Sequence, residues 1–170
     1  IQEREKAILG VQAKIGFEKI VRWDYQDNLL DNTPINELQE KFIDLVNELK
    51  PNQIFTPSMW DFNFDHNIMF DLVEMSTKPY YSDFIEEIFA YEIPSSTEAS
   101  FMKGFQPNVY FDITDCIDEK LELVSLYSTE IYNFPHPRST EYAKSLAMVR
   151  GAESGVHFAE SFKLLRGIRK

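Results

Sequence analysis

Cysteine is almost missing: Cys116 stands alone in 170 residues, which excludes an internal disulfide framework and a cysteine-rich zinc site. A lone thiol suits a reducing compartment, so a cytoplasmic location is expected. Basic charge is scarce too, with 17 Lys and Arg against 28 Asp and Glu and a formal net charge of −11. A nucleic-acid binder draws its affinity from basic surface meeting phosphates, so no nucleic-acid partner is expected, and the late "RGIRK" reads as a solvated basic tail. No apolar run approaches the roughly 20 residues of a membrane span, and no signal peptide is legible. Apolar and aromatic residues are abundant, at 44% and 14%. That composition fits a globular chain with a substantial core, and one domain over residues 1–170 is expected.

Along the chain, "EREKAILGVQAKI" (3–15) spaces Ala7, Ile8, Val11 and Ile15 as a helix face, with Gly16 as its stop. "FEKIVRW" reads as a short strand, followed by the turn-rich "DYQDNLLDNTP". From Pro34 a second helix carries Ile35, Leu38, Phe42, Leu45, Val46 and Leu49 in one stripe and ends at Lys50-Pro51. "QIFTPS" is a candidate strand, and a helix runs from about Asp65 to Met75. "EIFAYEI" and "NVYFDIT" read as strands with the loop "PSSTEASFMKGFQP" between them. "CIDEKLELVSLYSTEIY" is predicted helical, "NFPHPRS" a break, "TEYAKSLAMVRGAES" helical again, and "VHFAESFKLL" a last short helix. This order predicts an α/β layer sheet, largely parallel in its first half. In such sheets ligands sit beyond the carboxyl ends of strands, which "QIFTPSMWDFNFDH" matches as strand, polar loop and helix start.

That loop gathers Asp61, Asn63, Asp65 and His66 within six positions. A catalytic zinc takes three protein ligands from His and carboxylates, and His66 can supply one imidazole. Asp61 or Asp65 could orient that ring. Neighbouring residues on a helix point about 100° apart, so Asp65 and His66 are not expected to bind one ion together. The plain alternative is Asp65 as a helix cap and His66 as a partly exposed polar side chain. Ser95, Ser96 and Thr97 invite a nucleophile reading, but no base is paired with them in sequence, and a capping or turn role is preferred. His157 is read as a packed or surface histidine, and Glu160 as a structural tie to backbone or to Arg150.

"FTPSMWDFNFDHNIMF" resembles the second metal-binding segment of the PIG-L or LmbE-like family of zinc-dependent N-deacetylases. There a strand is followed by D-x-N-x-D-H or H-P-D-H and then a helix. "YEIPSSTE", "FQPNVYFDITDCIDEKLELVSLYSTEI" and "FPHPRSTEYAKSLAMVRGAESGVHFAESFKLLR" are similar to a branch of the same family, as is "KIGFEKIVRWDYQDNLLD" upstream. The resemblance implies a Rossmann-like three-layer fold with a largely parallel sheet. It implies zinc as cofactor, with His66 as the third ligand. Asn63 stands where other branches carry His and would hydrogen-bond the substrate carbonyl or the developing oxyanion. Asp65 would orient neighbouring polar groups, and Asp61 would shape the loop beside the substrate. Arg138 matches a position that faces the sugar or an anionic group, with His136 as a further substrate-side candidate.

One departure is large. The family's first segment, H-P-D-D-E, supplies two zinc ligands and the general base, and it does not occur in this sequence. The chain opens on Ile in helical text, so the opening β-α-β unit is expected in a longer parent enzyme. The activity implied for that parent is hydrolysis of an N-acetyl group from an amino sugar, with a nucleotide- or lipid-linked sugar as the suggested substrate. The alternative is a remnant that binds carbohydrate or protein without catalysis.

Overall fold

The computed structural model describes residues 2–101 and 104–169. The elements run α1 (Gln2–Ile15), α2 (Ile35–Leu49), β1 (Gln53–Pro57), α3 (Phe64–Ser76), β2 (Glu87–Tyr91), β3 (Val109–Asp112), α4 (Ile117–Ser125), α5 (Thr140–Ser154) and β4 (Ala159–Gly167), with single 3-10 turns at Leu30–Asn32 and Thr114–Cys116. The strand order is β1-β2-β4-β3. The chain divides into two compact units, one of residues 1–24 and 110–160, the other of residues 25–109 and 161–170.

The second unit holds the sequence segment of chemical interest. On α2 the residues Leu38, Phe42 and Val46 recur every four positions and are buried, while Ile35 and Leu49 at the ends of the stripe stay exposed. Leu38 packs with Leu30 of the preceding turn and Leu72 of α3, and Tyr25, Ile68 and Met69 close around them. Lys50 caps α2 in the left-handed conformation, with its amide bonded to the Val46 carbonyl. β1 and β2 pair in parallel from Gln53↔Glu87 to Pro57↔Tyr91, joined through the crossover helix α3. β2 is the buried centre of the unit, with Ile88, Phe89 and Ala90 all enclosed. The Phe55 ring stacks on Phe89 at 5.0 Å and meets Phe162 edge-on at 5.1 Å, which locks the three strands together on one face.

Here the structure corrects two expectations. β4 runs antiparallel to β2, from Glu87↔Gly167 to Tyr91↔Phe162 with an irregularity at Ile88/Phe89, so the sheet is mixed and not largely parallel. β4 also lies where "VHFAESFKLL" was expected to be helical. Ala, Glu, Lys and Leu favour a helix locally, but the open edge of β2 offers the segment a full ladder, and that tertiary pairing overrides propensity.

In the first unit α1 ends at Gly16, whose φ of +78° stops the helix as expected. Of its apolar stripe only Ala7 is buried, and Ile15 is half exposed. "FEKIVRW" forms no strand: Phe17 and Val21 are exposed, and Arg22 reaches Glu5 at 3.1 Å. β-forming side chains do not make a strand where the backbone finds no neighbour to pair with. α4 stops at Ser125, short of the expected Tyr132, and turns carry the chain onward. α5 matches its expected span and starts on Ser139, whose hydroxyl accepts the Tyr142 amide at 3.1 Å. It ends on Gly155 at φ +82°. Within it Gly151 lies so close to the backbone of Val156 and His157 that an added Cβ would fall 2.6 Å from the His157 carbonyl oxygen.

Candidate functional site

The parallel pairing of β1 and β2 sends both carboxyl ends the same way, and each strand runs directly into one half of a polar cluster. β1 leads through Ser58–Phe62 to the first turn of α3, and β2 leads to the hydroxyl run Ser95–Thr97. Asp61 is the centre. It is 5% exposed, and burial alone would push its carboxyl up. Four donors outweigh that cost and hold it below the ordinary carboxylate range: the Ser96 hydroxyl, the Thr97 hydroxyl at 2.6 Å, the Asn63 amide at 2.9 Å and the His66 ring at 2.9 Å. Burial, with the negative charge of Asp61 added to it, raises the Tyr91 phenol above its usual value.

Asp61 decides the state of His66. An ionised carboxylate only accepts, so Nδ1 is the donor to Asp61 Oδ1, and in the neutral ring the lone pair lies on Nε2. A carboxylate behind an imidazole is the arrangement that fixes the ring of a metal-binding histidine and raises its basicity. The ring is 27% exposed, so it is not turned into the packed core.

Asn63, and not Asp65, is the N-cap of α3: its side-chain oxygen accepts the Asp65 amide at 2.8 Å. Its Nδ2 donates to the Asn28 side chain at 3.1 Å, which leaves the second N–H of the amide to be shared. The Asp65 carboxylate faces away from His66 and accepts the backbone amides of Asn28 at 2.8 Å and Leu30 at 3.1 Å. The 100° helical step thus separates the two side chains as anticipated. Asn67 ties the loop shut by donating to the carbonyls of Asp61 and Asn63 at 2.7 and 2.9 Å.

Among the described residues no group of three or more His, Cys, Asp and Glu could hold a metal ion. Asp61 and Asp65 are committed to protein donors, so the donor set fits one ligand, His66 Nε2, and no complete zinc site. The remaining candidates lie in the other unit. His136 stacks on Tyr132 at 4.4 Å and accepts the Arg138 amide on Nδ1, while Arg138 pairs with Glu130 at 2.5 Å. Glu160 is tied to Lys120 at 2.5 Å, whereas Arg150 takes Glu153 at 3.0 Å. His157 is exposed.

The sequence favours a capping or turn role for Ser96 and Thr97. Thr97 does cap the backbone amide of Ile93 at 2.7 Å, but both hydroxyls also hold Asp61, a role that no spacing announces. Asn28 was missed as well, at φ +58° in a turn 35 residues upstream of its partner Asn63.

A family model described as GlcNAc-PI de-N-acetylase (PIG-L) matches residues 1–76, which include the whole of this loop. Over that segment the chain is similar to the PIG-L, LmbE-like deacetylases. Diacetylchitobiose deacetylase of Thermococcus kodakarensis is 23% identical over 98% of the chain. The chain spans 62% of that protein's length. In fold it is similar to a conserved protein of Thermus thermophilus, with a TM-score of 0.78 and 21% identity over 99% of this chain and 76% of that one. It is likewise similar to N,N'-diacetylchitobiose deacetylase from Pyrococcus horikoshii, with a TM-score of 0.74 and 21% identity over 98% of this chain and 64% of that one. Two of these three similar proteins are diacetylchitobiose deacetylases by name. No helix among the described residues is long and apolar enough to cross a membrane.

Proposed function

We propose that the protein containing this chain hydrolyses the N-acetyl group of an amino sugar or amino-sugar conjugate. The observation that carries this reading is the His66 ring held by buried Asp61 with Nε2 presented beyond the carboxyl end of β1. The deacetylase relatives support the reaction class. In this reading His66 is one ligand of a zinc ion, and further ligands come from outside the described residues. When bound, zinc supplies Lewis acidity toward the amide carbonyl. The chain's own contribution is positional. Asp61 keeps the imidazole in the tautomer that leaves Nε2 free. Asp65 anchors the Asn28–Leu30 turn so that the helix start cannot drift. The uncommitted N–H of Asn63 donates to the oxygen that gains charge as the amide carbon becomes tetrahedral.

His66→Ala in the full-length protein should abolish acetate release from N,N'-diacetylchitobiose and leave the circular dichroism spectrum intact; undiminished turnover removes His66 from the site. Glycan binding without hydrolysis is a second reading, favoured by Phe62 and Phe64, which flank Asn63 at 66% and 77% exposure as faces for a sugar ring. Saturable binding of the disaccharide with no acetate released under any metal supplement would select it.

A further inference from the structure

Beside the Asp61–His66 pair the same unit holds a cleft of about 190 Å³. Whole-ligand pockets run to roughly 300–1,000 Å³, so this one fits a substituent and not an entire conjugate. Its wall is apolar, made by Met59, Trp60, Phe70, Phe105 and Leu165. Two features connect it to the site. Thr97 lines the cleft and also donates to Asp61. Trp60 directly precedes Asp61 and is held at φ +66°, a conformation that bulky side chains rarely adopt, with its ring half exposed.

The remaining feature is charge. Lys163 of β4 lines the cleft and, among the described residues, its ammonium has no hydrogen-bond or ion-pair partner. In a chain with 28 acidic residues to 17 basic ones, carboxylates are in excess, and a lysine left without one at an apolar wall is an available counter-ion. We propose that this cleft is a subsite for a substituent of the substrate that is apolar and carries a negative charge, a phosphoester or a carboxylate, packed on Trp60 and paired with Lys163. The proposal rests on the deacetylase reading for the sugar to which the substituent is attached, and not for the binding itself.

Equilibrium binding to the full-length protein, read by quenching of tryptophan emission, tests it with phenyl phosphate, benzoate, benzyl alcohol and inorganic phosphate. One of the two aromatic anions should bind about three- to fivefold more tightly than benzyl alcohol, the scale of one partly exposed ion pair. Which anion it is separates phosphoester from carboxylate. Lys163→Met should remove that advantage and leave benzyl alcohol unchanged, and Trp60→Phe should abolish the quench. Equal affinity for charged and neutral rings, inorganic phosphate binding as well as phenyl phosphate, or an unaltered preference in Lys163→Met would each overturn the subsite. Failure of acetate release with the anion preference intact would sink the deacetylase reading alone.

Discussion

Removal of the Asp61 carboxylate should unfasten the site and weaken the unit that carries it. Asp61→Ala strands the Asn63 amide, which cannot rotate to another partner, at about 1–3 kcal/mol. It also forfeits the bonds from Ser96, Thr97 and His66, about 0.5–1.5 kcal/mol each. Relief of a buried charge offsets part of this, and the net loss should be about 3–5 kcal/mol. Asp61→Asn keeps a carbonyl oxygen for the Asn63 amide and the imidazole, and a hydroxyl can turn to accept from the new amide. It should therefore lose only charge assistance, about 1–3 kcal/mol. Urea unfolding followed by circular dichroism measures both. The acid limb supplies a second test. Because the folded carboxyl lies below its unfolded value, its contribution is complete above about pH 4 and disappears as pH falls through the folded value. The gap between wild type and Asp61→Asn should thus close on acidification. A loss under about 1 kcal/mol for Asp61→Ala, or a gap that stays constant down to about pH 2, refutes the four-donor account.

Two further outcomes check the surrounding structure. Burial and the Asp61 charge raise the Tyr91 phenol, so its contribution is complete below about pH 10 and is lost as pH rises through the folded value. Tyr91→Phe should flatten the alkaline limb of stability, and an unchanged limb would place the phenol in water. Gly151→Ala puts a Cβ 2.6 Å from one backbone carbonyl oxygen and 2.7 Å from another, neither of which can swing aside as a side chain could. It should cost about 1–3 kcal/mol and lower the melting temperature, and a neutral result by calorimetry would mean that the turn after α5 yields freely.

The legible parts of this protein are those where local chemistry has one outcome. Gly16 ends α1 with no side chain to strain, the four-residue spacing of Leu38, Phe42 and Val46 faces one core, and Ser139 caps α5 where a hydroxyl stands before a helical run. The loop Asp61–His66 was legible as a cluster because its members are close in sequence. Its organisation was not. Asn63 and Asp65 both have short oxygen-bearing side chains suited to a cap, and only the position of the Asn28–Leu30 turn makes Asp65 turn outward to it.

The amino-acid sequence by itself determined α1, α2, α3 and α5, the parallel β1–α3–β2 crossover and the gathering of polar groups at its carboxyl end, since each follows from periodicity, caps and chain connectivity over short range. Tertiary structure alone decided that residues 159–167 extend along β2, and that Ser96 and Thr97 close on a carboxylate 35 and 36 positions away. Both depend on partners distant in sequence. A backbone ladder and a buried charge take whatever donors the fold brings within about 3 Å, and no local propensity encodes which those will be.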